Sequence, residues 1–149
     1  METVITNFDE MDTFAAQEYA VLSRIDTSNN STPAIVLGLS GELGAGKTAF
    51  VRSFARVLGI MESVSSPTFV IARFYPIVDH PRFTKLIHID AYRIESVDEL
   101  RPLGWKKLLE EKTNLIVVEW PENINAQFPK DAAMLYFTVI NETTRMIRA

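Results

Sequence analysis

The sequence predicts an α/β sandwich, a central and largely parallel β-sheet flanked by helices. Three observations carry that expectation. Apolar runs of strand length recur at AIVLGLS (Ala34 to Ser40), at LIHI (Leu86 to Ile89) and in NLIVV before Glu119, the pattern of strands covered on both faces. Stretches of helical periodicity or helix-start chemistry separate them. Each run also ends on residues able to do chemistry: a glycine-rich loop at Gly41, Asp90, and Glu119. In open α/β sheets ligands bind beyond the carboxyl ends of the strands, so these three features can meet. The strand order itself is not legible.

Along the chain, Asp9 to about Ile25 carries Phe14, Ala15, Tyr19 and Leu22 at helical spacing, an amphipathic helix. The polar cluster DTSNNSTP reads as a loop. The first buried strand follows, then the glycine loop, then AFVRSFARVLGI, a helix with Gly59 near its C-cap. Ser63 to Pro67 is expected as a loop and about Thr68 as the start of a strand. The segment YPIVDHPRFTK reads as a surface connection. Ser96 and Glu99 fit a capping box for a short helix, interrupted by Pro102 and Gly104. WKKLLEEK suggests another short helix, and Met134 to Ile140 a fourth strand near a sheet edge.

At 149 residues with 47% hydrophobic residues, the chain suits one soluble domain spanning 1–149. No apolar run approaches the length of about 20 residues that spans a bilayer, and METVITNFDEMD lacks signal-peptide layout. The expected compartment is the cytoplasm. With no cysteine and only His80 and His88, thiolate and histidine-rich metal sites are not expected. A net charge of −4 argues against a surface that grips nucleic acid directly.

GELGAGKT matches G-x-x-x-x-G-K-[ST] in full through Gly41, Gly46, Lys47 and Thr48, with Gly44 as an extra glycine. Glycines permit positive φ and close approach to phosphate. The loop N–H groups converge on the anion, backed by the dipole of the next helix. Lys47 is expected to reach the β and γ phosphates, and the Thr48 hydroxyl to ligate Mg²⁺. A random chain of this length matches roughly once in 200, and the strand before and helix after make chance a poor explanation. The fold expected is therefore of the P-loop NTPase type.

Such a site needs an acid at a neighbouring strand end, for the Mg²⁺ shell or for the attacking water. Glu119 is the candidate for the metal because its strand reads as the more deeply buried. Asp90 is the candidate for positioning water or sensing the γ-phosphate. Read alone, each acid could equally be an exposed strand end or a helix cap. His88, two residues before Asp90, reads as a hydrogen-bonded structural residue. Trp120 reads as a half-buried aromatic or as a platform that stacks on a base or a partner, and Tyr92 and Arg93 as a surface pair or as contacts to phosphate or a partner surface.

Four short motifs in order, GELGAGKT, SSPTF, HIDAYR and VEWPE, resemble the TsaE family of small bacterial P-loop ATPases along nearly the whole chain. That resemblance implies ATP and Mg²⁺ as cofactors and a part in making N6-threonylcarbamoyladenosine at position 37 of tRNA. It implies the TsaB–TsaD heterodimer as partner, whose TsaD subunit performs the transfer, with tRNA met only through the complex. It further implies phosphate contacts from Leu43, Gly44, Ala45, Gly46, Lys47 and Thr48, metal contacts from Thr48 and Glu119, and hydrolysis dependent on Asp90. Glu10 and Thr13 match a family position near the nucleotide. Ser65 to Phe69 resembles a switch-like segment beside the γ-phosphate.

Two other readings compete. A small-molecule or nucleotide kinase needs an arginine-bearing lid, yet only Arg73 and Arg82 lie in or beside Tyr75 to Lys85. A non-catalytic nucleotide switch is the second, although no N-K-x-D guanine-recognition pattern is present.

Overall fold

The computed structural model describes residues 1–64 and 71–149. The elements run β1 (Glu2–Ile5), α1 (Phe8–Leu22), β2 (Ile35–Ser40), α2 (Lys47–Val57), β3 (Ala72–Pro76) and β4 (Lys85–Asp90). A 3₁₀ segment (Val97–Leu103), α3 (Trp105–Glu110), β5 (Asn114–Glu119), a second 3₁₀ segment (Pro121–Ile124), β6 (Ala133–Val139) and β7 (Arg145–Arg148) complete them. The described strands form one sheet in the order β1-β7-β6-β2-β5-β4-β3. β6, β2, β5 and β4 are mutually parallel. β3, β7 and β1 join antiparallel on the flanks. The expected largely parallel α/β sandwich is the observed fold.

Two apolar layers explain the continuous strand runs. Leu115 and Val117 of β5 face Phe14, Phe50 and Phe54 of α1 and α2, while Ile116 and Val118 face Leu100, Trp105 and Ile124 on the opposite side. The Phe50 and Phe54 rings stack at 5.4 Å. Burying a side chain of this size contributes roughly 1.5–3 kcal/mol. Glu119, His88 and Asp90 alternate onto the α1/α2 side of the sheet, the side on which α2 begins.

Helix ends follow local chemistry. The Asn7 side chain caps α1 by accepting from Glu10 N at 2.9 Å. α1 stops short of the expected Ile25, because Arg24 and Ile25 close i→i+3 bonds onto Val21 and Leu22. Gly59, with φ +76, follows the C-cap of α2. The Ser96–Glu99 capping box forms, but the turn it starts is 3₁₀, since Pro102 supplies no N–H for an α-helical bond.

Three points depart from the sequence reading, and a fourth lies outside the described residues. β6 is not near an edge: it lies between β2 and β7. Its Leu135 and Phe137 are buried while Tyr136 is exposed, so the strand has one open face rather than an open edge. β1 and β7 escaped notice as short, charged four-residue strands. The connection between β3 and β4 is more than surface, because Ile77 and Phe83 enter the core and Tyr19 Oη meets His80 Nε2 at 2.7 Å. The SSPTF segment and the strand start at Thr68 lie outside the described residues, which take up the strand at Ala72.

Candidate functional site

The glycine loop runs from the end of β2 into α2. Gly41, Gly44 and Gly46 have φ of +152°, +77° and +101°, conformations that a side chain would strain. Gly46 N-caps α2 without a side-chain bond, which leaves the first-turn N–H groups for an anion. A Cβ at Gly41 would sit 2.5 Å from Phe137 O, so the base of the loop is seated directly on β6.

Lys47, the first residue of α2, is buried and folds back over the loop. Its Nζ donates to Gly41 O and, at 2.8 Å, to Glu42 O. It also lies 4.4 Å from the Trp120 ring centroid, a cation–π contact. Burial pushes the ammonium below the usual lysine range, and the carboxylates of Glu119, Glu122, Asp90 and Glu42 partly offset this.

Thr48 Oγ1 donates to both Glu119 oxygens, at 3.1 and 3.2 Å. Glu119 is itself buried and takes a 2.6 Å bond from His88 Nε2 on β4. Parallel pairing sets His88 beside Val117 and Asp90 beside Glu119. Asp90, half-buried, accepts from Tyr92 N at 3.0 Å. Two backbone bonds, Trp120 N to Leu39 O and Ala91 N to Glu119 O, tie the ends of β2, β5 and β4 together. Trp120 bends away in a left-handed conformation, φ +61°, and its ring lies 5.1 Å from that of Tyr92.

Around these groups is an open cleft of about 440 Å³, lined by Leu43 to Ala49 and by Asp90, Tyr92, Arg93, Glu119 and Trp120. Lys47, Thr48, Asp90 and Glu119 thus share one cavity with the loop. Beyond the loop lies a more apolar depression of about 460 Å³, between the start of α1 (Asn7, Phe8, Met11), the loop (Gly44, Gly46) and the β6–β7 turn. Glu10 and Thr13 line neither. The Glu10 carboxylate accepts from Thr6 N and Oγ1, and Thr13 Oγ1 donates to Asp9 O. Both border a separate depression with Thr3 and Gln17.

Two contacts had little or no sequence signal. The His88–Glu119 bond was foreshadowed only by the alternation of His88 with Asp90. Arg145, on β7, donates from Nε to Gly44 O at 3.1 Å, and nothing in its local sequence marks it.

The model of the family described as "Threonylcarbamoyl adenosine biosynthesis protein TsaE" matches residues 6–147. The chain belongs to the TsaE family. Among curated TsaE proteins, that of Streptomyces coelicolor is 43% identical over 99 residues, 65% of this chain and 64% of that protein. The match therefore spans just under two thirds of that relative. The Bacillus subtilis TsaE is 36% identical over 81% of this chain and 72% of its own. For the Rickettsia bellii TsaE the identity is 30%, over 97% of this chain and 91% of its own. The crystal structure of Bacillus subtilis YdiB superposes with a TM-score of 0.69 at 27% identity, covering 99% of this chain and 82% of that one. The family to which the chain belongs is described by its part in threonylcarbamoyl adenosine biosynthesis. Among the described residues no helix is long and apolar enough to cross a membrane.

Proposed function

We propose that this TsaE chain binds ATP with Mg²⁺ in the cleft at Gly41 to Thr48 and hydrolyses it as an accessory subunit of a tRNA-modifying assembly. The observation that carries this reading is the convergence of Thr48 and Glu119 on one another beside Lys47, at the mouth of a phosphate-type loop. Among the described residues no cluster of three or more His, Cys, Asp or Glu could hold a metal alone. A hydroxyl and a carboxylate are hard oxygen donors, however, and Mg²⁺ is held by one or two such groups together with substrate phosphates. Thr48 and Glu119 fit that role, and the ion would neutralise charge across the β and γ phosphates.

The remaining work falls to the chain. Loop N–H groups and the α2 terminus hold the phosphates. Lys47 leaves the Gly41 and Glu42 carbonyls for the phosphate oxygens. Asp90 orients a water for in-line attack on the γ-phosphorus. The bond to the β-phosphate oxygen breaks, giving ADP and inorganic phosphate. The nucleoside end is directed toward the depression beside Met11 and away from Glu119.

The partner follows from the resemblance: TsaB–TsaD, with TsaD transferring the threonylcarbamoyl group and tRNA bound by the complex in the cytoplasm. The net charge of −4 suits a subunit that does not grip tRNA itself. The test is to add the chain to a TsaB–TsaD mixture lacking its ATPase. Restored multiple-turnover threonylcarbamoyladenosine synthesis, with ATP hydrolysis stimulated by the partners, is expected. Absence of both binding and stimulation overturns the reading, and phosphate transfer to a small acceptor would replace it with a kinase.

A further inference from the structure

We propose that Arg145 is a positioning residue for the phosphate loop, holding its outer face in register from β7 while Lys47 serves the phosphates. The inference rests on the nucleotide-binding reading above and adds to it a residue far from every motif. A loop that turns its N–H groups inward turns carbonyls outward, where each is met by water or by a protein donor that also fixes its direction. The Gly41 and Glu42 carbonyls take theirs from Lys47. That donor is the one an arriving phosphate draws away. The Gly44 carbonyl takes its bond from Arg145 Nε at 3.1 Å, a donor independent of Lys47.

The guanidinium is well anchored. Its Nη1 donates to Asn141 O at 2.7 Å and to Thr144 O at 3.2 Å, so one side chain ties the β6–β7 turn to the loop. Its backbone is held on both sides, pairing with Val139 of β6 and Ile5 of β1. Gly44, at φ +77°, has no neighbour within 4 Å of a built Cβ. Little packing therefore fixes this part of the loop, and the Arg145 bond is its described restraint from outside. Arginine suits the task because its planar fork serves several acceptors in fixed directions. A lysine carries the charge but cannot span Gly44 O and Asn141 O with that geometry. The same guanidinium also places a permanent positive charge beside an anion site.

The experiment compares wild type with Arg145→Ala and Arg145→Lys in the full chain. Amide hydrogen exchange is followed without nucleotide, ATP and ADP affinities are measured by calorimetry with Mg²⁺, and global stability by urea unfolding. In Arg145→Ala, faster exchange is expected at the Ala45 amide, which donates to Glu42 O at 3.2 Å, with exchange in β2 and β5 unchanged. Nucleotide affinity should fall about 3- to 10-fold, because an unrestrained loop has to be ordered on binding. Arg145→Lys should recover little of either. Unchanged loop exchange and affinity in Arg145→Ala overturns the proposal, as does full rescue by lysine or a loss explained by global unfolding. If wild type binds no nucleotide, the functional reading fails while loop exchange still decides the role of Arg145.

Discussion

His88 Nε2 lies 2.6 Å from Glu119 Oε2, and both side chains are shut off from solvent. A carboxylate only accepts, so the proton of this bond sits on Nε2. His88 Nδ1 has no partner among the described residues. The imidazole therefore spends its one polar contact on aiming Glu119 at Thr48. His88→Ala should strip the buried carboxylate of its closest donor and cost about 1–3 kcal/mol of stability. Urea unfolding measures it, through a lower midpoint at unchanged slope. An unchanged midpoint would mean that Glu119 is held by Thr48 alone.

Lys47 is buried at a cost to the fold. Burial lowers its pKa, despite four nearby carboxylates. Below the lowered folded value the ammonium is charged in both states, and the fold bears the full cost of burying that charge. As pH rises through the folded pKa toward the ordinary value of 10.5, the folded lysine loses its proton and that cost disappears. The stability of wild type relative to Lys47→Met should therefore rise as pH passes through the lowered value toward 10.5. Denaturant titrations at several pH values check this. Nucleotide affinity should be lost in the same variant.

Asp90 is half-buried at the mouth of the cleft and paired in register with Glu119. Asp90→Ala should lower turnover about 100-fold or more while leaving nucleotide affinity within a few-fold of wild type. Parallel calorimetry and phosphate-release assays separate the two. Equal loss of both would make Asp90 a binding group.

The loop glycines should differ in sensitivity. Gly41→Ala places a Cβ 2.5 Å from Phe137 O, a backbone atom that cannot step aside. Gly44→Ala meets no atom within 4 Å and bears only the strain of φ +77°, about 1–2 kcal/mol. The first should cost clearly more, by about 1–3 kcal/mol beyond the second. Thermal and urea unfolding rank them, and the reverse order would contradict the seating of the loop on β6.

What was legible in the sequence was what local patterning encodes. β2, β4 and β5 announced themselves because parallel strands covered on both faces leave runs such as LIVV unbroken. Lys47 and Thr48 followed from glycine spacing. The positions of β6 and β7 were not legible, because alternating burial at Leu135 and Phe137 looks alike in an edge strand and in an interior strand with one bare face. Arg145 was hidden for a related reason: its meaning comes from strand order, and strand order leaves no local mark. Glu10 and Thr13 show the opposite case. Their side chains close local bonds at the start of α1, and sequence position alone did not reveal that they border a different depression from the loop.

Strand β2 stands between β5 and β6, and the loop it launches depends on groups made much later. Glu119 lies 71 residues beyond Thr48, and Arg145 lies 101 beyond Gly44. On the ribosome the glycine loop and α2 must emerge long before their buttresses exist. The described contacts that hold the loop and the start of α2 from outside their own segment thus form only once β5 and β7 have been made.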